Sequence, residues 1–175
     1  MPTSPRIEWL QGMPIFGALR DDTLEFLLGM TRQVAVPSQA CFFREGDAAS
    51  SLFVLQAGRA SVLKGWQGRE VLLRHLHAGD CFGEMAMIDF MPRSASVRAD
   101  QDCQALAFES EDLYRLCKHD VEQFALMQMN LGREISRRLR DTDELLFRVH
   151  MGQPLPPLAA LPPGADRSPP EPGAT

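Results

Sequence analysis

Residues 82–99 read FGEMAMIDFMPRSASVRA, a segment in which the charged residues Glu84 and Arg93 stand among small and apolar neighbours. A segment of this composition is expected to enter a core. An isolated charge buried there costs on the order of several kcal/mol unless it is paired. Glu84 and Arg93 therefore need partners, which are either each other or a bound molecule.

A ligand that is part anion and part sugar would satisfy both charges. Arg93 would donate bidentately to a phosphate, and Glu84 would accept from a sugar hydroxyl. Gly83 and Ala86 would let the backbone approach the ligand closely, and Ser94 could add a hydroxyl donor. The stretch EMAMID predicts one short helix, whose first turn offers backbone N–H groups to an anion. The alternative is a structural ion pair between Glu84 and Arg93 that braces a loop.

Short segments punctuated by glycine, such as SLFVLQAG and RASVLKG, fill residues 34–108 around this stretch. Apolar residues alternate with polar ones, and turns recur every ten or so residues. This pattern predicts a small all-β sandwich or barrel. A helical period precedes it at residues 7–30 and returns after residue 110, so helices are expected to flank the β region.

The last helical segment, residues 120–150, carries a long and mostly apolar stripe. Its positions are three or four residues apart: Phe124, Gln128, Leu131, Ile135, Leu139, Thr142, Leu146 and Val149. A helix of this length, roughly 40 Å, extends past a small β domain. Because the spacing is close to a coiled-coil repeat, we predict that the helix forms a parallel homodimer.

Composition and charge exclude several classes of protein. The chain has 175 residues, 45% of them hydrophobic, which fits one domain. Its net charge of -5 excludes a broad basic surface for nucleic acid. The four cysteines include no CxxC, so a zinc ribbon or a redox dithiol is not supported. The start, MPTSPRIEWLQG, lacks a signal sequence, and nothing approaches the ~20 apolar residues of a membrane span. We expect a cytoplasmic protein without a membrane partner.

The end of the chain has a different composition. Residues 151–175 contain eight of the 13 prolines. Proline at this density is incompatible with a helix or a strand ladder. We therefore predict one domain at residues 1–150 and a disordered tail at 151–175. A proline-rich ligand for an SH3- or WW-like partner is a less favoured alternative.

The segment at residues 82–99 resembles the phosphate-binding cassette of cyclic nucleotide-binding domains, such as those of catabolite activator protein and of protein kinase A regulatory subunits. The shared pattern is F-G-E-[small or aliphatic]-A, a short helix, and P-R-[SAT]-A-[ST], matched here without a gap. The resemblance covers residues 7–150. It implies a mainly β fold with flanking helices: a double-stranded β-helix (jelly-roll) barrel with N-terminal helices and a long C-terminal dimerisation helix.

The resemblance also implies a role for each matching residue. Glu84 would accept the ribose 2′-hydroxyl, Arg93 would hold the cyclic phosphate, and Ser94 would donate to it. Backbone groups of four further residues would line the site: Gly83, Met85, Ala86 and Ala95. In the long helix, RRLRDTDELL resembles the base-contacting stretch, which places Thr142 and its neighbour Arg138 at the base.

Two features of the sequence depart from the family pattern, one turn and one residue of the long helix. Family members often carry glycine in the turn after the cassette helix, where this chain has Phe90 and Met91. Asp143 stands where a small neutral residue can help to bind the base across the dimer. The conformation of the turn therefore affects the direction of the Arg93 side chain. Asp143 affects which base the site would prefer.

The implied function is that of a sensor and not of an enzyme, with cyclic AMP, or else cyclic GMP, as ligand and no cofactor or metal. The ligand would reposition the C-terminal helix and so signal to an unidentified protein partner. Direct DNA binding is not expected, because the residues after His150 leave no room for a helix-turn-helix. One alternative is a degenerate domain that dimerises without ligand. The other is a cupin-type metal enzyme using His75, His77 and Glu84.

Overall fold

The computed structural model describes residues 5–155. Its strands are β1 Arg32–Val36, β2 Cys41–Phe43, β3 Ser51–Ala57, β4 Ala60–Trp66, β5 Arg69–Leu76, β6 Cys81–Phe82, β7 Ser96–Ala99 and β8 Cys103–Glu109. The helices are α1 Pro5–Gln11, α2 Asp21–Met30, α3 Met85–Ile88, α4 Ser110–His119 and α5 Val121–His150, with a 3-10 helix at Pro14–Phe16. The strands thus fall where glycine-punctuated segments predicted them, and helices flank them on both sides.

The strands form two antiparallel sheets that pack face to face. One sheet has the order β1-β8-β3-β6 and the other the order β2-β7-β4-β5. Side chains from both sheets share one buried cluster, which includes Phe53 and Phe82 from the first sheet and Val97 from the second. The predicted jelly-roll fold with flanking helices is confirmed.

Strand β3 is buried on both faces, which explains its uninterrupted apolar run. Leu52 and Val54 face the helices, while Phe53 and Leu55 face the interior of the barrel. Successive side chains of a strand point to opposite sides, so a strand between two cores needs apolar residues at every position. This central strand therefore ties the barrel to the helical layer.

Helix α5 begins at an N-cap formed by a side chain, and its first half packs against the rest of the domain. The Asp120 side chain accepts hydrogen bonds from the backbone N–H groups of Glu122 and Gln123. Further along, the Asn130 Nδ2 donates to the carbonyl of Gly17 at 2.8 Å. The first half of α5 is thus fixed against the 3-10 helix and its following turn.

The apolar stripe predicted for α5 is divided by the structure. Leu131 is only 1% exposed and belongs to the chain's own core, against which Phe124 also packs. By contrast, Leu139 is 59%, Leu146 54% and Val149 57% exposed. The first half of the stripe is therefore part of the chain's own core, and only its second half is left exposed. We call the remaining three residues, Leu139, Leu146 and Val149, the exposed strip of α5.

No helix within residues 5–155 combines the length and the apolar character needed to cross a membrane. All four cysteines lie in this part of the chain and are free thiols. Most of the predicted disordered tail, residues 156–175, lies outside the described residues.

Candidate functional site

Residues 82–99, which we call the cassette, connect the two sheets. The segment leaves β6 in one sheet, forms α3, and enters β7 in the other sheet. The short helix predicted from EMAMID is present at Met85–Ile88. Glu84 and Arg93 therefore lie on either side of α3, at the junction of the two sheets.

The turn after α3 contains a strained residue. Phe90 has a φ of 57°, in the left-handed region, and its side chain is 90% exposed. Left-handed backbone costs a residue with a Cβ about 1–2 kcal/mol, which glycine avoids. The turn thus has a glycine-like conformation at a position where this chain has phenylalanine.

Replacing Phe90 by glycine is expected to stabilise the protein by about 0.5–1 kcal/mol, because the strain is larger than the entropy cost of the new glycine. Urea unfolding followed by circular dichroism measures this change. Met91→Gly is the matched control, since Met91 does not have a positive φ and should lose stability. Equal losses in both variants would contradict the assignment of strain to Phe90.

Arg93 points inward and is held by main-chain carbonyls. Its side chain is 5% exposed, with Nη1 donating to the Gly83 carbonyl at 2.7 Å and Nη2 to the Ser51 carbonyl at 2.7 Å. The guanidinium also lies 4.0 Å from the centre of the Phe43 ring. Burial lowers the pKa of Arg93 from its usual value, yet a guanidinium stays charged in proteins. The cassette therefore contains a fixed and nearly desolvated cation.

Gly83 makes room for that cation. Its φ of 80° suits glycine, and a Cβ at this position would lie 2.6 Å from the Arg93 Nη1. Any side chain would thus strain the backbone and displace the guanidinium. Glycine is therefore required at position 83 for the Arg93 guanidinium to occupy this place.

Glu84 is paired with Arg138 from α5, not with Arg93. The carboxylate is 2% exposed, and its Oε1 accepts from the Arg138 Nη1 at 2.5 Å. The Arg138 Nη2 donates to the Cys81 carbonyl at 2.8 Å. The interpretation of Glu84 and Arg93 as a mutual ion pair is therefore wrong. The contact instead joins the cassette to the long helix.

The charged groups at this contact shift the pKa values of their neighbours. Burial lowers the pKa of Arg138, but the Glu84 carboxylate and other negative groups outweigh it and leave the pKa raised. Burial, followed by the charge of Glu84, raises the pKa of the Cys81 thiol well above its usual value. The thiol thus stays neutral beside a charged pair.

Two buried polar atoms of the site have no hydrogen-bond partner among the described residues. They are the Oε2 of Glu84 and the Nε of Arg93. Leaving such a group unsatisfied costs about 1–3 kcal/mol, and more when it is charged. The first atom needs a hydrogen-bond donor and the second an acceptor. A molecule with a hydroxyl and an anionic oxygen would supply both.

The other residues predicted for the site divide into buried and exposed groups. Ala86 and Ala95 are buried, at 6% and 8% exposure. Met85 and Ser94 lie on the surface. Thr142 is also exposed, and its hydroxyl donates to the Arg138 carbonyl at 2.9 Å, one turn back along α5. The structure therefore brings Arg138 to the cassette and leaves Thr142 at the surface of the helix.

Sequence reasoning missed two contacts of Arg93. Ser51 lies 42 residues earlier in the chain and contributes both its carbonyl and its hydroxyl. Phe43 contributes its ring face. A serine at the start of a strand and a phenylalanine within one carry no local signal of such a role, because strand arrangement alone brings them to the arginine.

The residues of the cupin alternative do not form one cluster. The Nδ1 of His75 lies 3.2 Å from an Asp100 carboxylate oxygen and 3.2 Å from the Ser61 hydroxyl. His77 is exposed and follows the end of β5. Within residues 5–155, no three or more His, Cys, Asp or Glu side chains are arranged to hold a metal ion.

Comparison with known proteins agrees with this geometry. The family model for the cyclic nucleotide-binding domain matches residues 33–120, from β1 to the end of α4. The chain belongs to the cyclic nucleotide-binding domain family. The cassette lies wholly within the matched residues.

Individual relatives extend the match into α5. Cyclic AMP receptor protein of Thermus thermophilus is 30% identical over 135 residues, which cover 77% of this chain and 61% of that protein. The crystal structure of Thermus thermophilus catabolite activator protein superposes with a TM-score of 0.69 at 29% identity, over 78% of this chain and 63% of the other. A cyclic nucleotide-binding domain from Methylobacillus flagellatus superposes with a TM-score of 0.73 at 24% identity, over 88% and 85%, which supports the fold alone. The chain spans about three fifths of the length of the curated relatives it matches.

Proposed function

We propose that this protein is a regulatory sensor that binds a cyclic nucleotide between the cassette and α5. Cyclic AMP is the first candidate ligand and cyclic GMP the alternative. The observation that carries the proposal is the pair of unpartnered buried atoms, Glu84 Oε2 and Arg93 Nε. A ribose hydroxyl would donate to the first and a cyclic phosphate oxygen would accept from the second. The name of the Thermus thermophilus relative, a cyclic AMP receptor protein, supports cyclic AMP.

The cation that would receive the phosphate is held in place by the protein's own backbone. The carbonyls of Gly83 and Ser51 already hold the Arg93 guanidinium, so little side-chain entropy remains to be lost on binding. Ser94 would donate its hydroxyl to the phosphate. The backbone of four residues would complete the lining: Gly83, Met85, Ala86 and Ala95.

The signal would leave the site through α5. Arg138 links this helix to Glu84 and to the Cys81 carbonyl, so a ligand that bonds Glu84 acts on the same contact. Thr142 lies one turn further along the helix, where the base would reach its hydroxyl. A ligand shifts a conformational equilibrium only by its differential affinity for the two states. Here that difference would be the contact between base and helix.

The exposed strip of α5 would be covered by the same helix of a second copy. Its three side chains are more than half exposed although they are all large and apolar. Their spacing of seven and three residues fits the seam of a coiled coil. A parallel homodimer would also bring the two copies of Thr142 close to the two-fold axis.

The downstream partner would be a protein and not DNA, acting in the cytoplasm. The net charge of -5 is unfavourable for binding along a phosphate backbone. Four free cysteines, two of them buried, suit a reducing compartment.

Saturating cyclic AMP is expected to slow amide hydrogen exchange in the cassette and also in residues 136–149 of α5. The Thr142→Val variant should keep the protection of the cassette and lose most of the protection of the helix, because the base loses its hydroxyl partner. Exchange followed by mass spectrometry measures both regions at once.

Thr142→Ser is the matched control, since it keeps the hydroxyl and should keep both regions protected. Protection of the cassette alone in the wild type would refute the coupling to α5. Protection of neither region by cyclic AMP or cyclic GMP would refute ligand binding at this site.

A further inference from the structure

Ser94, the residue after Arg93, has a backbone that is held on both of its sides. The carbonyl of Arg93 accepts from the backbone N–H of Gly46 at 2.9 Å, which holds the peptide group that precedes Ser94. The carbonyl of Ser94 itself accepts from the Nζ of Lys64 at 2.7 Å, which holds the peptide group that follows. The first of these groups is thus held by backbone and the second by a side chain.

Lys64 lies on β4, outside the cassette. This strand pairs with β7, the strand that the cassette enters, and Leu63 lies opposite Ser96 in that pairing. The Lys64 side chain can therefore reach Ser94, which is 30 residues further along the chain. Nothing in the local sequence of β4 indicates this contact, because it depends on the pairing of the two strands.

Glu45 holds the Lys64 side chain in this position. The Lys64 Nζ donates to the Glu45 Oε1 at 2.6 Å, while the Oε2 accepts from the backbone N–H of Gly65 at 2.9 Å. The bond from Lys64, followed by that from Gly65, lowers the pKa of Glu45, so the carboxylate is charged at neutral pH. The ammonium of Lys64 is therefore fixed between this carboxylate and the Ser94 carbonyl.

The bond from Lys64 restricts the rotation of the Ser94 backbone. A peptide group is planar, so holding its carbonyl oxygen holds the whole group and with it the torsion ψ of Ser94. The peptide group before Ser94 is already held by Gly46. Together the two bonds define the direction in which the N–H and the side chain of Ser94 point.

We propose that Lys64 is a positioning residue for the phosphate site and acts through Ser94. The inference rests on the proposed function, in which Ser94 donates to the cyclic phosphate beside Arg93. Lys64 itself does not touch the ligand. It holds Ser94 so that the donors of this serine meet one exocyclic oxygen of the phosphate, and a hydrogen bond weakens steeply when that alignment is lost.

The test is calorimetric titration of the full chain with cyclic AMP and with its two phosphorothioates, in which sulfur replaces one or the other exocyclic oxygen. Lys64→Met is expected to weaken cyclic AMP binding about fivefold, which corresponds to one ordinary hydrogen bond. Lys118→Met is the matched control, the same substitution on α4, where the Lys118 ammonium lies 5.3 Å from the centre of the Tyr114 ring. This control should bind all three ligands as the wild type does.

The two phosphorothioates separate positioning from a general loss of stability. Sulfur is a weak hydrogen-bond acceptor, so replacing the oxygen that Ser94 contacts removes the bond that Lys64 supports. For that phosphorothioate the wild type and Lys64→Met should bind alike, to within about twofold, whereas for the other the difference of about fivefold should persist. A partly unfolded variant would lose the same factor with all three ligands.

Each outcome decides the matter. Unchanged cyclic AMP affinity in Lys64→Met, with the wild type binding the nucleotide, would overturn the role of Lys64 and leave the proposed function standing. An equal loss with both phosphorothioates would do the same, because Lys64 would then act on the whole domain and not through Ser94. A folded wild type that binds neither cyclic AMP nor cyclic GMP would overturn the proposed function and this inference together.

Discussion

Replacing Arg93 by leucine is expected to weaken cyclic AMP binding by about a hundredfold. The free Nε would make a charge-assisted bond to the cyclic phosphate, worth about 1.5–3 kcal/mol, and leucine cannot make it. Isothermal titration calorimetry measures the loss. Arg93→Lys should lie between the wild type and Arg93→Leu, because an ammonium keeps the charge without the planar fork.

Arg98→Leu is the control for this experiment. Arg98 lies five residues along the same segment and pairs with Glu70 at the surface, 2.6 Å away. Its loss removes one positive charge from the chain without touching the site. Affinity in Arg93→Leu within threefold of the wild type, with Arg98→Leu also unchanged, would contradict the assignment of Arg93 to the phosphate.

Replacing Leu139 by aspartate is expected to raise the dissociation constant of the homodimer at least a hundredfold. In the proposed seam the two copies of the residue would face each other, so each new carboxylate would be buried beside a like charge. An unpaired buried charge costs about 3–5 kcal/mol. Light scattering at tens of micromolar protein should therefore show a dimer for the wild type and a monomer for Leu139→Asp.

Val121→Asp is the matched control, on the same helix but at its first residue. Val121 is 63% exposed, and a carboxylate there is favourable to the helix dipole. This variant should remain a dimer. A wild type that is monomeric at these concentrations would refute the dimer, and a Leu139→Asp variant that stays dimeric would move the interface to another surface.

The β region and the short helix of the cassette could be predicted because their signals are local. Alternating apolar and polar residues, or a short apolar run, predict a strand from a few residues alone. The segment SLFVLQAG, for example, forms β3. The helix α3 could likewise be predicted from the local stretch EMAMID. The residue types around Glu84 and Arg93 were also informative, because a charge in an apolar segment needs a partner wherever the segment lies.

The length of α5 indicated that part of its stripe would extend past the domain, but not at which residue the exposed half begins. Leu131 and Leu139 are both leucines of one helical stripe, yet one is 1% and the other 59% exposed. Periodicity identifies an apolar face but not where the neighbouring element ends. That boundary depends on the position of the 3-10 helix and of α4 along α5.

The sequence alone determined the fold class, the family and the charged residues that need partners, since these depend on patterns within short stretches of chain. Only the tertiary structure decided which partners they have. Glu84 meets Arg138, 54 residues away, and Arg93 meets Ser51, 42 residues away. A hydrogen bond requires its atoms within about 3 Å and correctly aligned. Such distances between remote segments arise only when the sheets and α5 are packed together.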